Sequence, residues 1–176
     1  MSEMLCVENG GVQYVPQILE TKQIIYLDFD GALSRYDGEY LTVDRVEVTD
    51  SQLSPERVAA IVTALNAQFA GMNIEFVSER PDSAEYSTIF VGKTSAFDSY
   101  GNYAGLAETI DHDNANKSDN AFVMLDAASS DAEIVSVISH EAAHLTGLLD
   151  HGGSGLDAVY GFLHLHLSEL VRQACG

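Results

Sequence analysis

Basic residues are scarce in this chain. Only 8 Lys and Arg stand against 27 Asp and Glu, a formal net charge of −19. Such a surplus repels phosphate backbones and anionic lipid surfaces, so neither nucleic acid nor a membrane surface is an expected partner. No run of 18 or more apolar residues occurs, which leaves no candidate for a membrane-spanning helix. The start, MSEMLCVENG, carries an acid where a secretory signal carries basic residues followed by an apolar core. The chain is therefore expected to be soluble and to carry no address of its own. A secreted or extracellular location is expected if it is a domain cut from a longer precursor. Cysteine is nearly absent too: Cys6 and Cys175 stand almost at opposite ends. Three readings of them stay open: a disulfide tying the ends together in an oxidising compartment, two unpaired thiols, or Cys6 as a thiolate holding a metal site latent. There is no internal repeat and no low-complexity tract.

What is present suits one compact domain. Nearly half of the 176 residues are hydrophobic, enough for a single sizeable core. QIIYLDF at 23–29 is a short β-branched and aromatic run closed by Asp30 and Gly31, as a buried first strand would be. SRYDGEY at 34–40 reads as a turn, and YLTVDRVEV after it as a partly exposed strand, together a hairpin or flap. Ser54, Pro55 and Glu56 form an N-cap, a first-turn proline and a favourable acid. Val58, Ile61, Val62, Leu65 and Phe69 then recur at helical spacing, which predicts a helix over about 55–70 ended by Gly71. NIEFVS, STIFVG and NAFVML read as strands, and NYAGLAE as a weaker strand near an edge. Ser130 with Glu133 makes a capping box that opens a second helix, and Gly147 is placed to stop it. Tyr160, Leu163, Leu167, Leu170 and Val171 predict a C-terminal helix. The order implies an α/β domain: one mixed, mostly parallel twisted sheet covered by two or three helices, with its core over about 23–174.

The second helix carries the chemistry. In the run HEAAHLTGLLDH, His140 and His144 are four residues apart and so share one helix face, where two imidazoles can bridge one zinc ion. Glu141 projects beside that position and can accept a proton from a water there, as a general base. A catalytic zinc needs a third protein ligand from chain that has turned back toward the helix, and Gly147 permits the turn. Asp150 and His151 are the candidates. Imidazole, the commoner ligand, favours His151.

The run resembles HExxHxxGxxH/D, the zinc signature of the metzincin metalloendopeptidases, and is most similar to its small bacterial snapalysin branch, where Asp and then His stand at these places. The resemblance implies that Asp150 is the ligand and His151 its neighbour. It also implies a zincin-like fold in which a first strand, a long helix and further strands precede the active-site helix, and an activity of zinc-dependent endopeptidase on protein or peptide substrates. The family takes its name from a methionine in a turn under the metal, yet none follows Met124 here. Ala158 stands eight residues beyond Asp150, at a spacing seen for that methionine. Tyr160 follows where related branches carry a tyrosine that reaches the zinc. A zincin-like module that holds zinc without turnover is the alternative. A monomer is expected.

Two further signals compete. IIYLDFDGALS resembles the first motif of haloacid dehalogenase phosphatases, which implies Asp28 as nucleophile and Asp30 as acid/base with magnesium. However, Ala32 stands where that motif has Thr, and turn and strand follow rather than a helical cap. A strand end with acids facing solvent is the simpler account. DHDNANKSDN at 111–120 groups several oxygen ligands, as a calcium loop does, but lacks the EF-hand glycine and glutamate. A solvated loop between strands is the expectation, with a structural calcium as the alternative. His112, His164 and His166 read as surface or packing residues.

Overall fold

The computed structural model describes residues 6–8, 11–13, 19, 21–39, 41–82, 85–111 and 114–148. The expected C-terminal helix, Asp150, His151, Ala158, Tyr160, His112, His164, His166 and Cys175 lie outside the described residues. Two short strands, β1 (Cys6–Glu8) and β2 (Gly11–Gln13), pair antiparallel. The sequence predicts no element there.

The main sheet begins with β3 (Gln23–Asp28), whose alternate residues Gln23, Ile25 and Leu27 are fully buried. After it, β4 (Ala32–Asp37) and β5 (Thr42–Val48) form the expected antiparallel hairpin. Its turn is shorter than the 34–40 reading, because Ser34 to Asp37 are strand and Gly38 N–H closes onto Leu41 O at 2.9 Å. Packing overrides turn propensity here: the Tyr36 ring is buried edge-on to Phe97 and Phe122.

Helix α1 (Pro55–Gln68) starts at Ser54, whose side chain accepts the Arg57 N–H, and Gly71 follows it in a left-handed conformation (φ +84°). Then come β6 (Ile74–Val77), β7 (Ser87–Val91), β8 (Gly105–Ala107), β9 (Asn120–Val123) and helix α2 (Asp131–Leu145). The five-stranded sheet has the order β6-β3-β7-β9-β8, parallel except for β8, which is an edge strand as read from NYAGLAE. The fold is α/β. No described helix is long and apolar enough to cross a membrane.

Side-chain alternation sorts the layers. Ile25, Leu27, Ile89, Val91, Ala121 and Val123 pack against Ile61 and Leu65 of α1 and Ile134, Ile138, Ala142 and Leu145 of α2. Each such large apolar side chain contributes roughly 1.5–3 kcal/mol by leaving water. The other parity, Phe90, Leu106 and Phe122, packs with Tyr36, Val46 and Val48 of the hairpin. Arg57 ties the two helices, with Nε at 2.7 Å from Asp131 Oδ1 and its other nitrogens on Ala127 O and Ser129 O. At the β6 edge the Asn66 side chain of α1 accepts the Phe76 N–H at 3.0 Å and donates to Phe76 O at 2.9 Å.

Candidate metal centre

Helix α2 is fixed at both ends by local chemistry. Ser130 and Glu133 form the full capping box, and the hydrogen bonds it receives hold the Glu133 carboxyl below its ordinary range. At the other end Gly147 is left-handed (φ +67°), with Gly147 N–H on His144 O at 3.2 Å and Leu148 N–H on Ala143 O at 2.9 Å. That pair of bonds is a Schellman motif, the turn that the position of Gly147 implies. A third donor, Asp111 N–H, reaches the same His144 carbonyl at 3.0 Å.

Between these ends, one turn of helix brings His140, Glu141 and His144 together. Their ligand atoms lie within 4.8 Å of one another, the one group of three or more His, Cys, Asp or Glu side chains placed to hold a metal ion among the described residues. The two Nε2 atoms face each other at 3.0 Å across rings set nearly perpendicular. A tetrahedral zinc with bonds near 2.0–2.1 Å separates two ligand nitrogens by roughly 3.3 Å, so the pair fits such an ion to within a few tenths of an ångström. His144 and Glu141 are buried and His140 is half-buried.

Glu141 lies against the edge strand. Its carboxylate accepts the Ala107 N–H, and burial pushes its pKa up to about 8. A Cβ on Gly105 would stand 2.2 Å from Glu141 Oε1 and 2.8 Å from Val137 Cγ1, so the glycine makes room for the acid. Tyr36 reaches the same strand from the hairpin: its hydroxyl donates to Ala107 O at 3.0 Å. Burial first, then the charges of Glu108 and Glu141, push that phenol up to about 12. Sequence reading singled out neither Gly105 nor Tyr36. A glycine inside a strand pattern was the available signal for the first; nothing local marks the second.

Asp28 and Asp30 stand at the carboxyl end of β3, and Asp30 N–H bonds Asp28 Oδ1 at 3.2 Å. Burial raises the Asp28 pKa. Asp30 is exposed and lines a cleft of ≈ 330 Å³ with Phe29, Asp50, Ser51 and Val58, away from the histidines. An antiparallel hairpin follows them, as the turn-and-strand reading expected.

Comparison with protein-family models, with curated proteins and with solved structures gave no match to this chain.

Proposed function

We propose that the chain is a zinc-dependent endopeptidase. The observation that carries the reading is the pair of imidazole nitrogens at 3.0 Å on α2 with the Glu141 carboxylate beside them and against the edge strand β8. His140 and His144 would hold the zinc, with Asp150, or His151 in its place, as third ligand. When bound, zinc supplies Lewis acidity toward the scissile carbonyl and makes water a nucleophile at neutral pH. Glu141 takes the proton of that water and delivers it to the leaving amine. Its contact with Ala107 N–H aims the carboxylate, and Tyr36 holds the carbonyl of the same residue. Tyr160 is assigned to the oxyanion through the family resemblance alone. The order of first strand, long helix, further strands and histidine helix is what that resemblance implies.

The test pairs zinc content with cleavage of a quenched peptide library, with and without chelator. His140→Ala and His144→Ala are each expected to lose stoichiometric zinc, because two remaining ligands hold the ion too weakly. Glu141→Gln should keep one zinc per chain while turnover falls about a hundredfold or more. Zinc retained at one per chain in either histidine variant would overturn the metal site. A fully loaded wild type without chelator-sensitive cleavage would leave a zinc-binding module, and the missing methionine after Met124 would then gain weight. Asp150→Ala losing zinc while His151→Ala keeps it would assign the third ligand to Asp150. The magnesium phosphatase reading has less support, since no third metal-binding side chain joins Asp28 and Asp30 among the described residues.

A further inference from the structure

The 111–120 loop is not solvated where it matters. Asp111, Asn114 and Asp119 are 8%, 6% and 2% exposed, lying where β3, β7 and β9 begin. Asn114 and Asp119 are the ends of one hydrogen-bond chain across the sheet. Asn114 Nδ2 donates to Gln23 Oε1 at 3.3 Å, Gln23 Nε2 donates to Ser87 Oγ at 3.0 Å, and Ser87 Oγ donates to Asp119 Oδ1. Each link of the chain turns one donor inward. An oxygen stands at each of its two ends: Asn114 Oδ1 and Asp119 Oδ2 are both buried with no hydrogen-bond partner among the described residues.

Asp111 is bound to the same loop. Its carbonyl accepts the Asn114 N–H at 3.0 Å, its Oδ2 accepts the Asn116 N–H at 2.8 Å, and its charge acts on Asp119. Burial first, with the Asp111 charge adding to it against the Ser87 hydrogen bond, pushes the Asp119 pKa up to about 7. Among the described residues, no basic side chain lies within ion-pair distance of either carboxylate. Two buried carboxylates without a counter-charge are costly. A water molecule can donate to an orphan oxygen but neutralises neither acid, and a proton neutralises one.

We infer that Asp111, Asn114 and Asp119 form a site for a hard divalent cation of the calcium class, bound through carboxylate and carboxamide oxygens and separate from the histidine centre. Mixed oxygen donors of this kind suit calcium, which accepts irregular geometry and backbone or side-chain carbonyls. Asn114 is itself held in a left-handed conformation (φ +49°), which Asn and Asp tolerate better than other residues with a Cβ. Because Asp111 N–H also bonds the His144 carbonyl, a cation there stiffens the loop that closes the last turn of α2. The site does not depend on the peptidase reading.

The experiment is calorimetry on the chelator-stripped full chain, titrated with CaCl2 and melted in CaCl2 against NaCl of equal ionic strength. One calcium per chain and a saturable rise in Tm of about 3 °C or more are expected. Asp119→Asn should abolish both. Asn114→Asp, which suits the same backbone and adds a third carboxylate, should tighten calcium about tenfold. The absence of heat and of a Tm rise in the wild type would overturn the site, as would a rise undiminished in Asp119→Asn. If only a water or a proton sits there, Asn114→Asp will destabilise with no calcium response, which also overturns it. An equal response to MgCl2 would overturn the assignment to calcium.

Discussion

At position 105 a hydrogen atom stands where any other residue has a carbon, and the neighbour that uses the space is the carboxylate of Glu141. The three nearest atoms a Cβ would meet belong to the side chains of Glu141 and Val137. On the proposed zinc-peptidase reading, Gly105→Ala should fold and keep its zinc while moving the acid. Turnover is expected to fall about tenfold or more with zinc per chain unchanged, since a displacement on the ångström scale is enough to spoil a proton transfer. Unchanged turnover would mean that the placement of Glu141 against β8 is not the working one. Position 105 also marks the limit of reading at this scale. The grouping of His140, Glu141 and His144 was legible because helix geometry alone dictates it. Gly105 and Tyr36 come from β8 and β4; a glycine in a strand pattern marks the first without naming Glu141 as its neighbour, and nothing local marks the second. The burial of Asp111, Asn114 and Asp119 escaped for the same reason. Their polar stretch has the composition of a solvated loop, and only the partners Gln23 and Ser87, far away in sequence, take it inside.

Elements bounded by local signals were the most legible. Ser54 and Ser130 accept the N–H groups they were expected to accept, and the Schellman turn falls at Gly147. Ser130→Ala should lower stability by about 1 kcal/mol, or roughly 2–4 °C in Tm, measured by thermal unfolding. The partner in that box also sets a pH dependence. Glu133 is held below its ordinary 4.5 in the folded chain by bonds from Ser130. Its stabilising effect is thus complete above the unfolded pKa and is lost as pH falls through the lower folded value. Melting curves of wild type and Glu133→Gln should converge as pH drops below about 4.5 and separate above it. A constant gap across that window would rule out the charged box as the source. Where the reading failed at this scale, tertiary contact outweighed local preference: Tyr36 draws half of an expected turn into β4, and the pair β1–β2 has no strong alternation to announce it.

Across the whole molecule, 19 uncompensated negative charges repel one another, and the five described ion pairs all involve side chains at least partly exposed. Such pairs are worth about 0–1 kcal/mol each, so screening should remove more repulsion than attraction. Tm is expected to rise between about 0.01 and 0.5 M NaCl in chelated protein. A fall would place more of the stability in ion pairs than their exposure suggests. The layered arrangement itself followed from strand and helix order; which side the hairpin covers did not, since alternation in β4 and β5 is too weak to choose a face. The margins of the sheet have a further consequence. On β6, Asn66 occupies both main-chain groups of Phe76, while on β8 Glu141 and Tyr36 occupy both of Ala107. A stray strand from a neighbouring molecule therefore finds the ladder interrupted on either flank. The same side chains that shape the sheet's margins and the candidate metal centre oppose the addition of a further strand at either flank.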